Sequence, residues 1–549
     1  MIKKPFAIHF ALAMLCMAGQ ASAQSGANLQ GTAPAQPLSS DASVVPRAPG
    51  ASAAPKIAPG GASVVVQEVA LSGNKSVGTA TLLQQLGALP STPLDMAGLN
   101  QLAQHIEAYY HAAGYPFAQA YLPPQDLKGG VLRIAVIEGQ YGTIHAAGKD
   151  KLPEGAQPFL DYGLHAGDAI QNLALERTML ILDDQPGMKI RPVIKPGAEQ
   201  GAADLTVNVE RSSYTSGDIG FDNTGARSTG EYRLRGALNI NSPFRYGDKV
   251  TLNALTTDEA MWLGSIDYET PLGASGLRGQ VGFAHTNYRL AGSFTALNAT
   301  GYADVSTAKL SYPLVRSQAT NVLLSLGWQH KDLQDQYATA GVTRSKRSDG
   351  IPVGVQFDKR DTLLGGGVTY GSLSWLSGNL VLGADLTAAD ASSAKTNGSF
   401  TKTSLDIARI QKIAGELSLY GRFSGQWADK NLDSSEKFNL GGYYGVRAYP
   451  LGEGTGDTGW LTQLELRYSL GDVTPFLLYD RGHAQTNAQA WDVTSASTRD
   501  VEGTGVGVRT LFKGWTLDAT LSWQASGGAS QADNQERNPR LFFMLGRRF

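Results

Sequence analysis

The sequence predicts a membrane β-barrel of sixteen antiparallel strands preceded by two small α/β domains. Three observations carry this. After the leader no run of roughly 18 apolar residues occurs, so no helix would span a bilayer, whereas barrel strands alternate and need no such run. Helical periodicity is confined to the first part of the chain, and from Ser212 to Phe549 apolar residues recur at every second position. The connections between these alternating runs are short on one side and long on the other, as outer-membrane barrels are laid out.

In chain order, Met1 to Ala23 reads as a secretory signal peptide. Lys3 and Lys4 give the charged start, Phe6 to Ala18 the apolar middle, and Ala21-Ser22-Ala23 the small-residue cleavage site. The only cysteine, Cys16, lies inside it, so the mature chain has no disulfide and no thiol chemistry. Its removal moves the formal charge from -2 to -4, and a chain so near neutrality carries no nucleic-acid footprint. Residues 24–63 are rich in Ala, Pro, Ser and Gly, without helical period, and read as a disordered linker.

Residues 64–139 form the first domain. Val64 to Leu71 reads as a strand and Thr79 to Leu86 as a short helix. Leu99, Leu102, Ile106, Tyr109 and Ala113 then recur on one helical face, stopped by Gly114. Strands at Phe117–Leu122 and Val131–Ile137 complete a β-α-α-β-β order. Residues 140–211 repeat it, with a strand near 142–147, helices near 157–163 and 169–184, and strands near 189–195 and 204–210.

Over 212–549 the alternating runs fall at 214–223, 230–241, 248–257, 260–270, 276–286, 301–312, 320–331, 350–358, 364–376, 401–411, 415–426, 458–469, 473–482, 503–512, 515–524 and 540–549. That is about 21 residues per strand with its connection, enough for tilted strands of roughly 9–11 residues and their turns. Connections after even-numbered strands are short. Those at 332–349, 377–400, 483–501 and 525–539 are long and polar. The first strand therefore rises from the periplasm and the last returns to it. That last strand alternates Leu541, Phe543 and Leu545 and ends on Phe549, with Arg547 interrupting the outward set.

One connection differs. Within 427–457, the stretch Glu436 to Pro450 (EKFNLGGYYGVRAYP) holds three glycines, four aromatics and, after Lys437, the single charge Arg447. Such composition suits a loop folded into the lumen. On the thirteenth strand, at 473–482, Phe476, Leu478, Asp480 and Gly482 share one face, and an aspartate belongs on the lumen side.

Together these features resemble the outer-membrane transporters of two-partner secretion systems (the TpsB family), in which two periplasmic POTRA domains precede a 16-stranded barrel. GGVLRIAVIEG at 129–139 is similar to the end of the first POTRA domain, and Asp222-Asn223, Thr229-Gly230-Glu231 and LNINSP at 238–243 to the opening barrel strands. YPLVRS at 312–317 is similar to the turn after the sixth strand. Val446-Arg447-Ala448-Tyr449 resembles the family's Val-Arg-Gly-Tyr loop motif, and Leu478 to Gly482 the strand motif after it. The resemblance implies that this loop folds into the lumen with Arg447 and Asp480 in one interior, where an Arg447–Asp480 pair would pin the loop through charge-assisted hydrogen bonds. The resemblance implies a location in the outer membrane of a Gram-negative bacterium, with the POTRA domains in the periplasm. It implies export of one large exoprotein of adhesin or haemolysin type, bound through its secretion domain. The remaining partners it implies are outer-membrane lipid and the barrel-assembly machinery, which would read the terminal Phe549. Ala448 stands where the family has glycine, and would be strained if that position needs positive φ.

No cofactor or metal is called for. There is no phosphate loop, no Gly-x-Ser-x-Gly elbow and no His-Glu-x-x-His pair, and His105 and His111, six apart, cannot act as i, i+4 ligands. The glycines at 365–367 and at 503, 505 and 507 read as strand packing. Two alternatives stay open: a factor for outer-membrane protein assembly and a passive porin-like channel.

Overall fold

The computed structural model describes residues 36–37, 58–127, 129–291, 295, 298–339, 341–493 and 495–549. The signal peptide at 1–23 and most of the linker at 24–63 lie outside the described residues.

The first module runs β1 (Glu68–Ser72), α1 (Thr79–Leu86), α2 (Met96–Ala112), β2 (Gln119–Tyr121) and β3 (Val131–Ile137). Its sheet has the order β1-β3-β2, with β1 parallel and β2 antiparallel to β3. Asp95 caps α2 by accepting from the Gly98 N–H at 2.9 Å. The buried stripe of α2 is Leu99, Leu102, Ala103, Ile106 and Tyr110. Tyr110 thus replaces the expected Tyr109, and Ala113 falls past the helix end, exposed. The Tyr110 ring can be buried because its hydroxyl donates to Glu138 Oε1 at 2.8 Å.

The second module repeats the plan: β4 (Gln140–Gly148), α3 (Leu152–Gly163), α4 (Asn172–Asp183), β5 (Met188–Pro196) and β6 (Ala202–Arg211). Its sheet order is β4-β6-β5, again with the first strand parallel to the last. Leu160, Leu175, Met179 and Leu180 from the helices pack on Leu205, Val207 and Val209 of the central strand.

Sixteen antiparallel strands then close into a ring: β7 (Thr215–Asp222), β8 (Arg233–Asn241), β9 (Lys249–Thr257), β10 (Trp262–Pro271), β11 (Arg278–Arg289), β12 (Ala299–Arg316), β13 (Thr320–Tyr337), β14 (Val342–Asp361), β15 (Gly367–Leu382), β16 (Gly398–Ala414), β17 (Leu417–Ala428), β18 (Thr458–Tyr468), β19 (Val473–Gln485), β20 (Thr498–Phe512), β21 (Trp515–Ser526) and β22 (Arg540–Arg548). Each strand pairs with its sequence neighbours, and β22 pairs with β7 to close the seam. The Phe549 and Gly217 backbones exchange two further hydrogen bonds of 3.0 Å each. Along the wall the exposed set is apolar, as at Leu541 and Leu545 or at Ile351 and Val353, which is the face that meets lipid. Arg547 is tolerated in this set because its guanidinium lies over the Trp515 ring, 5.2 Å from the centroid.

The expected loop at 332–349 is mostly strand. β13 and β14 reach 18 and 20 residues, more than a bilayer requires. Their outer parts carry polar residues on both faces, so apolar alternation vanishes while the ladder continues. There Asp332 opposes Arg347 and accepts from its Nε at 3.1 Å. The span at 377–400 likewise holds the end of β15, helix α5 (Ala384–Ala391) and the start of β16.

The second module docks on the barrel turns through the C-terminal end of α4. Asp184 forms a bidentate pair with Arg316, at 2.7 Å to Nε and 2.6 Å to Nη2. Glu176 accepts from the Gln318 N–H at 2.6 Å. On the lumen face of β14, Gln356 Nε2 donates to the Gln36 carbonyl at 2.9 Å, which places that part of the N-terminal segment inside the barrel.

Candidate functional site: the loop inserted in the barrel

Between β17 and β18, residues 429–457 turn back into the barrel. The two arms meet at Phe438 and Gly456, whose backbones exchange hydrogen bonds of 2.7 and 2.9 Å. A tight turn follows, in which the Val446 N–H donates to the Leu440 carbonyl at 2.7 Å. Glycine is required here. Gly442 has φ +95°, and a Cβ on Gly445 would lie 2.0 Å from the Leu440 carbonyl oxygen. At the tip the Tyr443 ring meets Phe542 of β22 edge-on at 6.1 Å. The wall holds the tip carbonyls: Arg422 Nη1 donates to Tyr444 at 2.8 Å and Gln463 Nε2 to Gly445 at 2.8 Å.

Arg447 follows, with 2 % of its surface exposed. Its Nε and Nη2 donate to the two oxygens of Asp480 at 2.8 and 2.7 Å, and its backbone N–H adds a third bond at 3.1 Å. Its Nη1 donates to Glu465. Glu465 also accepts from Arg467 Nε at 2.7 Å and from Arg509 at 2.7 and 3.1 Å, while Arg509 Nε reaches Asp518 at 2.5 Å. Three guanidinium groups thus face three carboxylates. Burying charge is expensive unless it is paired, so this neutrality lets the cluster exist in a closed interior. The Arg467 and Arg509 guanidinium groups lie over the rings of Tyr420 and Phe476, at 4.0 and 4.2 Å.

Around the charges lies an apolar seat: Leu440, Val446, Ala448 and Tyr449 from the loop against Leu461, Ala484 and Val501 of the wall. Two wall glycines make it. A Cβ on Gly482 would lie 2.7 Å from Leu440 Cδ2, and one on Gly503 would lie 2.7 Å from Ala448 Cβ. The strain considered for Ala448 does not arise, because its backbone is outside the positive-φ region. Its methyl group occupies the space that Gly503 leaves. Leu478 is buried on the lumen face beside Asp480. Phe549 is elsewhere, exposed at the far end of the seam.

Near the loop entrance carboxylates meet lysines. Glu436 binds Lys331 at 2.5 Å and Lys402 at 2.9 Å, Asp433 binds Lys346 at 2.7 Å, and Asp457 binds Lys437 at 2.7 Å. Burial opposes the charge on Glu436, and the two lysines beside it compensate for that.

Sequence reasoning singled out Arg447, Asp480, Val446, Ala448, Tyr449, Leu478 and Gly482, and the structure brings these together. It missed Glu465, Arg467, Arg509 and Arg422. A signal existed in β18, where Gln463, Glu465 and Arg467 alternate with Leu464, Leu466 and Tyr468. A charged face opposite an apolar one marks a lumen wall that must neutralise something.

Comparison with known proteins agrees with this architecture. Residues 201–510 match the family described as haemolysin secretion/activation protein ShlB/FhaC/HecB, and residues 64–139 match the ShlB-type POTRA domain. The heme/hemopexin transporter protein HuxB of Haemophilus influenzae (strain 86-028NP) is 27% identical over 480 residues, covering 84% of each chain. The outer membrane transporter CdiB of Dickeya dadantii (strain 3937) is 25% identical over 447 residues, covering 78% of this chain and 77% of its own. Among solved structures, CdiB from Escherichia coli superposes with a TM-score of 0.69 at 19% identity, over 91% of this chain and 93% of that one.

Proposed function

The chain belongs to the haemolysin secretion/activation family ShlB/FhaC/HecB, and from that premise we propose that its inserted loop is the gate through which one exoprotein leaves the cell. The protein is an outer-membrane transporter of two-partner secretion, with its barrel in the outer membrane and its POTRA region in the periplasm. The partner is a large secreted protein of adhesin or haemolysin type. The open sheet edges of the two periplasmic modules support capture of its secretion domain, since β-augmentation binds an extended chain through backbone hydrogen bonds. The apolar outward set of β22, ending at Phe549, is the mark that barrel-assembly machinery would read.

The observation that carries the gate is the burial of Arg447 between Asp480 and Glu465. A loop held by several charge-assisted hydrogen bonds in the lumen blocks it at rest, and a translocating chain must displace it. The displaced charges then need new partners, which the passing chain and lumen water provide. The test is Arg447→Ala in cells producing the partner. Export should stop, while the variant still inserts and runs as a heat-modifiable folded barrel. Asp480→Ala should give a similar, milder defect, because Glu465 still holds the guanidinium. Normal export by Arg447→Ala would remove the loop from the mechanism.

A further inference from the structure

Six residues beyond Arg447 the loop carries a second buried carboxylate, Glu453, which has no exposed surface. Its Oε1 accepts from Arg499 Nε at 2.7 Å, and Arg499 Nη2 lies 2.7 Å from the same oxygen. Its Oε2 accepts from Ser530 Oγ at 2.9 Å, from the Gln531 N–H at 2.8 Å and from the Ala532 N–H at 3.0 Å. A hydroxyl and two successive backbone N–H groups converging on one oxygen is how a carboxylate caps a turn. The turn capped here belongs to another element, the surface loop at 527–539 between β21 and β22.

The loop side of this contact is registered to the hairpin that bears Arg447. The N–H groups of Leu440 and Gly441 both donate to the Glu453 carbonyl at 3.1 Å, and the Glu453 N–H donates to Pro450 at 3.2 Å. Tyr449 adds a tie, its hydroxyl lying 2.8 and 3.0 Å from the carbonyls of Ser526 and Gly528. On the other side, Asp533 accepts from Arg227 at 2.7 Å, in the connection that follows the seam strand β7. Moving the hairpin therefore draws Glu453 away from the Arg499 guanidinium, the Ser530 hydroxyl and the Gln531 and Ala532 N–H groups together. A buried carboxylate separated from its donors costs more than any one bond contributes, so the contact holds or breaks as a unit.

We propose that Glu453 is a positioning residue that couples the inserted hairpin to the surface loop at 527–539, so that withdrawal of the hairpin uncaps that loop beside the β7–β22 seam. This rests on the reading that the hairpin leaves the lumen during export. Opening of the interior and rearrangement of the surface mouth are then one event.

Hydrogen–deuterium exchange on the purified full-length protein tests it, read at the amides of Gln531 and Ala532. Glu453→Ala should raise exchange there at least tenfold while β21 and β22 keep their protection. The decisive variant is Arg447→Ala, which leaves Glu453 unchanged. It should also raise exchange at both amides at least tenfold. Unchanged exchange at 531–532 in Arg447→Ala overturns the coupling, whatever happens to export. Normal export with raised exchange instead removes the gate and keeps the coupling. Should Glu453→Ala fail to fold, Glu453→Gln, which keeps the shape but removes the charge and turns one of the two acceptors into a donor, should raise exchange by a smaller factor; no rise in it overturns the capping role.

Discussion

Ala448 and Gly503 show how one methyl group is placed. The loop carries a Cβ at Ala448, and the facing wall strand has glycine at the point of closest approach. Gly503→Ala would set two Cβ atoms about 2.7 Å apart, nearer than packed carbons allow, so the loop must shift. Overpacking of this kind costs about 1–3 kcal/mol. We expect Gly503→Ala to impair export and the double change with Ala448→Gly to recover most of it. A double-mutant cycle on export rate gives the coupling. Wild-type export by Gly503→Ala would show that the seat is slack.

At the scale of elements, Glu138 secures the first module. It follows β3 and reaches the turn before α1, accepting from the Lys75 and Ser76 N–H groups at 2.6 Å each, from Ser76 Oγ at 2.8 Å and from Tyr110. Burial opposes its ionisation, but these donors hold its carboxyl below the usual carboxylate range. A depressed folded-state value means stability that is present above the ordinary glutamate value and lost as pH falls through the depressed one. Thermal melts of residues 58–139 should therefore hold at neutral pH and weaken only in that acidic window. Glu138→Ala should lower stability at pH 7 by about 1–3 kcal/mol, the cost of orphaning buried donors, and should flatten the pH dependence. An unchanged acid limb in the variant would assign that limb to other groups.

Across the whole molecule, the second module is tied directly to the turns of the barrel. The Arg316–Asp184 pair and the Glu176 contact fix the second module beneath the barrel turns. Asp184→Ala leaves Arg316 bonded to Asn321 Oδ1 at 3.0 Å, so the barrel should fold normally. The module should lose its fixed orientation. Spin labels on α3 and on the turn after β8 report this, and beyond Cys16 the sequence has no native cysteine to interfere. The distance distribution should broaden clearly, and a distribution as narrow as wild type would show that the pair is dispensable for docking.

The barrel, its strand count and its direction were legible because lipid imposes a period of two on every spanning strand, and no tertiary partner can override that requirement. The first module was legible from the 3.6-residue period of its long helix, and the second as a looser repeat of the same order of elements. The outer parts of β13 and β14 were not, since a strand wet on both faces has no apolar period to read. Arg447 stood out as the single charge after Lys437 in its loop, and Asp480 as an acid on a strand face that lipid would not accept. The cluster that neutralises them, with Glu465 and Arg509, and the clasp of Glu453 on residues 530–532, came only with tertiary structure. Alternation says which side of the wall a residue faces, but tilt, stagger and the path of a re-entering loop decide which distant side chains come within a hydrogen bond.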